Sequence, residues 1–133
     1  MGAVRETINR ALLRVSYKDK QQLKKLLRMW GTLEGLGARG DSVAICILID
    51  LQSATGINMD LYYKRDRRAF NEGYKNGVLS FSQFMAIAYT LVLGYTQEEI
   101  AWVMGVDQSV ISRNITSGLK QIQAGLKAFE EDD

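Results

Sequence analysis

At 133 residues and 47% hydrophobic content, the chain is long enough for one domain or two very small ones, and apolar enough to bury a core. It has no histidine, no proline and one cysteine, Cys46, which excludes a disulfide scaffold and a cysteine–histidine zinc site and removes the commonest general base. The net charge of +2 divides into +6 over residues 1–40, zero over 41–94 and −4 over 95–133, so a basic surface is expected mainly towards the N-terminus.

The lack of proline permits long helices and alternating strand patterns are scarce, so the expected class is all-α. The expected organisation is a helical N-terminal region over residues 1–77, then a three-helix unit with an acidic tail over 78–133. In AVRETINRALLRV, Val4, Ile8, Leu12 and Val15 share one side of a first helix over Ala3–Val15, with Arg5, Arg10 and Arg14 elsewhere. Ser16 reads as the N-cap of a second helix, with Asp19 as its short-armed capping-box partner. That helix, running to Trp30, carries the stripe Leu23, Leu26, Leu27 and Trp30, with Lys18, Lys20, Lys24, Lys25 and Arg28 around it. These cations are either a solvated helix face or an arm that contacts phosphates. A membrane-surface helix is disfavoured, because the apolar side lacks consecutive bulky anchors.

Gly31, Gly35, Gly37 and Gly40 mark residues 31–40 as a flexible hinge, since no strand precedes them and no phosphate-gripping lysine follows. Asp41 or Ser42 caps the next helix, 42–55, which ends at Gly56. Its run from Val43 to Ile49 is apolar nearly all round, placing it in the core or in a subunit interface, with Cys46 as a buried thiol. Asp50 interrupts the run and either faces solvent or pairs with an arginine. Residues 59–74 read as one helix in which Tyr62, Tyr63, Phe70 and Tyr74 interleave with Lys64, Arg65, Arg67 and Arg68. Such interleaving serves nucleic acid, or else Leu61, Phe70 and Tyr74 enter the core and the cations face water. Asn76-Gly77 is a turn, Ser80 caps a helix over Phe81–Leu93 with Phe84, Ile87, Ala88 and Leu91 on its packing side, and Gly94 closes it.

The stretch from Tyr95 to Lys127 is the most informative. Thr96 caps a helix with Glu98 and Glu99 in its first turn; Ile100, Val103 and Met104 form its apolar side; Gly105 ends it, and Val106 plugs the corner. Asp107 then caps a helix whose Val110, Ile111, Ile115, Leu119, Ile122 and Leu126 repeat with helical period, prolonged over Lys127–Phe129. Counted from Gln97, alanine falls fifth, glycine ninth, a hydrophobe tenth and Ile111 fifteenth. This is the spacing a helix-turn-helix requires: a small residue for close crossing, glycine at the bend, and apolar residues to lock the pair. Together with LSFSQFMAIAYTLVLGYTQEEIA over 79–101, the stretch resembles the helix-turn-helix of sigma factor region 4, over roughly residues 79–126. Asn114 departs from the pattern at the eighteenth position, with Ile115 beside it.

The resemblance implies that the second helix enters the DNA major groove, with Gln108, Ser109, Ser112, Arg113 and Thr116 towards base edges and the Thr96–Gln97 end holding a phosphate. Glutamine suits adenine and arginine suits guanine. Lys120, further along the same helix, is one more candidate for phosphate contact. The architecture also looks like that of small phage late-gene regulators of the ArpU and RinA type, with IDLQSA (Ile49–Ala54) resembling a linker helix in some of them. That likeness implies a transcription regulator bound to double-stranded DNA near a promoter in a bacterial cytoplasm, touching RNA polymerase. A nearly neutral reading helix favours two copies, so a homodimer through the 43–49 helix or the Leu23–Trp30 stripe is expected.

Two alternatives stay open. One is an adaptor or antiterminator that binds RNA polymerase itself; the other is a packaging protein like the small terminase subunits, which usually place the DNA-binding motif first. No enzyme activity, metal or cofactor is expected. There is no Walker-type loop, and Glu98 and Glu99 are neighbours that point about 100° apart on a helix, which suits capping better than acid–base work. The absence of a signal peptide and of a long apolar run is read as cytoplasmic, with no membrane partner.

Overall fold

The computed structural model describes residues 16–131, with side chains as far as Lys127. The expected helix over Ala3–Val15 and the last two acidic residues lie outside the described residues. Every regular element among those described is helical. None of these helices is long and apolar enough to cross a membrane.

The first described helix, α1 (Lys20–Arg28), is capped by Asp19 and not by Ser16, with Asp19 Oδ1 accepting from the amides of Gln21 (2.9 Å) and Gln22 (3.3 Å). Ser16 stays in a turn before it because the Tyr17 hydroxyl reaches across to donate to Asp50 Oδ2 at 2.8 Å. That bond also answers the question of Asp50, whose partner is a tyrosine rather than arginine or water alone. The helix breaks at Met29, so Trp30 opens α2 (Trp30–Ala38). The expected hinge over 31–40 is therefore corrected to a helix. Three glycines inside it cost about 1 kcal/mol apiece against alanine. Burying Trp30, Leu33 and Leu36 contributes about 1.5–3 kcal/mol each and outweighs that cost. The left-handed Gly40 then ends the element.

Helix α3 (Ser42–Thr55) is capped by Asp41, whose Oδ1 accepts from the Ala44 amide at 3.0 Å. It buries Ala44, Ile47, Leu48, Leu51, Ala54 and Thr55. Its other side is open: Cys46 is exposed, correcting the expectation of a buried thiol, and so are Ile45 and Ile49. The helix expected over 59–74 is three shorter pieces: α4 (Met59–Tyr63), α5 (Arg67–Glu72) and a 3-10 turn over Gly73–Asn76. The break comes at Arg65, in the left-handed region at φ 62°, followed by Asp66, which caps α5 through the Ala69 amide at 3.1 Å. Phe70 is buried and Leu61 and Tyr74 pack on the core, while Lys64, Arg65, Arg67 and Arg68 are exposed.

Next, α6 (Phe81–Ile87) starts with a full capping box between Ser80 and Gln83 and runs into a π-helical turn over Ala88–Val92. Helix α7 (Gln97–Met104) and the long α8 (Gln108–Glu131) complete the described chain. Helix α8 packs along α6 and α7 and also against α1 and α3. Gly118 makes the α6 contact close: a β-carbon there would meet the Ile87 side chain. Leu23, Leu51, Phe84, Ile87 and Ile122 consequently belong to one core cluster, which crosses residues 77 and 78 without a break. The stripe Leu23, Leu26, Leu27 and Trp30 is at most 1% exposed inside this core. It is not available as a subunit interface.

Candidate nucleic-acid interface

Two short-range signals shape the α7–α8 pair. Thr96 and Glu99 form a reciprocal capping box, Thr96 Oγ1 accepting from the Glu99 amide at 3.0 Å and Glu99 Oε1 from the Thr96 amide at 3.1 Å. Gly105, at φ 68°, takes the left-handed conformation that ends α7. There the Val106 amide donates to Ala101 O (3.0 Å) and the Gly105 amide to Trp102 O (3.2 Å), the paired bonds of a Schellman ending. A Thr96→Ala chain is expected to lose about 1 kcal/mol, the usual worth of such a cap. It should appear as a lower urea midpoint with an unchanged slope.

Ile100 and Ala101 are the buried side of α7. Val103, expected on that side, is 67% exposed, and Val106, expected to fill the corner, is also exposed. Met104 is only partly buried against the core. The physical reason is that the first helix of the pair is covered on one narrow side by α8 and the π turn. Helix α8 is divided lengthwise. Ile111, Ile115, Leu119, Ile122 and Leu126 are buried, with Val110 half-buried at the start. Gln108, Ser109, Ser112, Arg113, Thr116 and Lys120 are all exposed on the opposite side, Ser109, Arg113, Thr116 and Lys120 following at four-, three- and four-residue steps. Asn114 is half-buried between the two sides and Ile115 takes the core position beside it. Thr96 is exposed and Gln97 half-buried at the start of α7.

The candidate cations divide into two groups. Arg67 lines the same cleft, about 600 Å³, as Tyr95, Glu98 and Glu99 of the α7 entry. The basic loop Lys64–Arg68 is thereby brought beside the amino end of α7. Aromatic rings carry that link: Tyr62 stacks on Phe70 (5.5 Å between centroids), Phe70 on Tyr89 (5.9 Å), and Tyr89 on Tyr95 (6.0 Å). Tyr89 donates to Asn71 Oδ1 at 2.6 Å. The hydrogen-bonding interaction with Tyr95, then burial, raises the Tyr62 pKa above its ordinary 10.0, and burial raises that of Tyr89. Both hydroxyls thus stay protonated through neutral pH and keep the loop anchored. Arg68 pairs with Glu72 at 3.6 Å, both side chains being largely exposed, which contributes little.

Lys18 lies elsewhere. Gln123 Nε2 donates to the carbonyls of Tyr17 (3.0 Å) and Lys18 (2.9 Å), and Gln123 is about 22 Å along α8 from Gln108 at 1.5 Å per residue. Lys20 and Lys24 are half-buried on α1 and Lys25 exposed. The one feature that residue patterns did not disclose is Trp102, 85% exposed on the outer side of α7 together with Val103. Its signal was available: with Ile100 and Ala101 facing in, a two-residue step turns Trp102 outwards.

Comparison of the chain with protein-family models, with curated proteins and with solved structures returns no match.

Proposed function

We propose that the chain is a sequence-specific DNA-binding protein of the helix-turn-helix class, with α7 and α8 as the motif and α8 as the reading helix. More particularly, we read it as a transcription regulator with a sigma region 4-like motif, of the type found in small phage late-gene regulators, acting beside RNA polymerase at a promoter. The observation that carries the reading is the exposed polar stripe Gln108, Ser109, Ser112, Arg113 and Thr116, set opposite a continuous buried stripe on the same helix. The loop Lys64–Arg68 beside the α7 amino end supplies the positive charge that residues 95–133 lack. Phosphate contacts from that loop would fix the register while α8 reads base edges. Selection of genomic fragments with purified protein tests this: enrichment of one sequence supports it, and no enrichment at low salt overturns it. Two copies on a palindrome are the expected bound form, because one nearly neutral reading helix binds weakly.

A second reading, a polymerase-binding adaptor, is favoured by Trp102 and Val103, which expose a large apolar surface between Glu98 and Glu99. On this reading Trp102→Ala loses binding to purified RNA polymerase by roughly 30-fold or more, the cost of a tryptophan anchor. Trp30 is buried, so a change in tryptophan emission on adding polymerase reports Trp102. No change, with fragment selection intact, would leave DNA binding alone.

A further inference from the structure

The open side of α3 is the apolar surface that the reading of α8 does not use. Ile45 is 39% and Ile49 54% exposed, with Cys46 exposed between them, on a helix whose other side is part of the core. A single exposed isoleucine needs no explanation, but adjoining apolar positions on one side of a helix mark a surface that something covers. At one edge Gly37 of α2 lies against Ile45. At the other edge the chain enters the described region. There Tyr17 donates to Asp50 Oδ2 at 2.8 Å, the Ser16 amide donates to Gln22 Oε1 at 2.7 Å, and Gln123 holds the Tyr17 and Lys18 carbonyls. Residue 16 is thus pinned beside Asp50, the next residue after Ile49.

We propose that residues 3–15 form an amphipathic helix that lies on this side of α3 within the same protomer, with Val4, Ile8, Leu12 and Val15 against Ile45, Cys46 and Ile49, and Arg5, Arg10 and Arg14 in water. Reach is ample. Thirteen helical residues span about 20 Å, whereas the seven steps from Ile49 back to Ser42 span about 10 Å. The apolar repeat of the segment, at four-, four- and three-residue steps, matches the single side that such packing needs. A second copy fits less well. A stable dimer buries about 800 Å² on each partner, and three partly exposed side chains supply well under that. It would also leave the segment's own apolar stripe in water. The arrangement would place three arginines on the surface beside Lys18, and would make the segment part of the fold rather than an arm.

Cys46, the single cysteine, reports on the arrangement directly. In the full chain its reaction with a disulfide reagent such as 5,5′-dithiobis(2-nitrobenzoate) is expected to be slow. Ile8→Asp or Leu12→Asp should accelerate it roughly tenfold or more, because the reagent then needs no local opening, and Arg10→Ala should leave it unchanged. The slow rate should persist on dilution to concentrations at which the protein sediments as a monomer. Hydrogen exchange on the unaltered chain gives a second readout, with the amides of residues 7–15 protected. Equal Cys46 rates in the full chain and in Leu12→Asp, or unprotected amides over 7–15, would overturn the proposal. Protection of Cys46 that disappears on dilution would overturn it too, and assign the α3 surface to a second copy.

Discussion

A Gly56→Ala chain is expected to lose about 4 kcal/mol or more of stability, at the extreme end of single substitutions. Gly56 ends α3 at φ 78°, with its amide donating to Gln52 O at 2.8 Å. That conformation alone costs a β-carbon roughly 1–2 kcal/mol. The larger cost is spatial. The β-carbon would fall on the carbonyl oxygen of Gly73, and one on Gly73 would in turn fall on the carbonyl of Gly56. A backbone carbonyl has no rotamer to yield with, so the 3-10 turn over 73–76 would have to move off the end of α3. Gly77 joins the same contact: its β-carbon would strike Ala54 and Thr55, where the Val78 amide donates to Ala54 O at 2.8 Å. Gly105→Ala is the control. It shares the positive φ, but nothing lies within 4 Å of its added carbon, so only the conformational cost of about 1–2 kcal/mol should appear. Urea unfolding of the two variants checks the pair. Equal losses would mean that the glycine-to-glycine contact contributes nothing.

The second large effect is on recognition. Arg113→Ala should weaken binding to the selected DNA sequence by about 1–3 kcal/mol, or roughly 5- to 150-fold, and relax preference at one base pair. Arg113 is exposed in the middle of the α8 stripe, one turn from Ser109 and next to Ser112, where a bidentate base contact would be made. Arg67→Ala should behave differently. A phosphate contact from the loop beside α7 would be lost for every sequence alike, and the slope of log affinity against log salt should fall by about 0.9. The contrast separates base reading from positioning. If Arg113→Ala weakens all sequences equally and leaves the base preference unaltered, α8 does not read DNA with this side. If Arg67→Ala leaves the salt slope unchanged, the loop stands away from the duplex.

Much of the helical punctuation was legible because it is decided by neighbours in sequence. Thr96 with Glu99 and Ser80 with Gln83 form their caps within one turn, and Gly56 and Gly105 end their helices as expected. The α8 stripe from Ile111 to Leu126 was equally plain, since a five-fold repeat of buried residues on one side leaves one way to face the core. Elsewhere the same rules misled. Gly31, Gly35 and Gly37 read as a hinge, yet Trp30, Leu33 and Leu36 found a core across the chain and held the segment helical. Cys46, Val103 and Val106 read as buried because hydropathy assigns apolar residues inwards. It cannot say how wide a strip of each helix its neighbours cover.

The sequence by itself determined that the described chain is helical, where most of its helices start and stop, and which residues on α8 face away from the core. Those outcomes follow from capping, glycine backbone freedom and periodicity, all of which act over a few residues. Only the tertiary structure decided that α8 binds both halves of the chain into one core, that the Lys64–Arg68 loop comes to rest beside the start of α7, and that α3 and α7 each keep an apolar side in the open. These depend on contacts between segments tens of residues apart, chosen by packing of the whole set of helices.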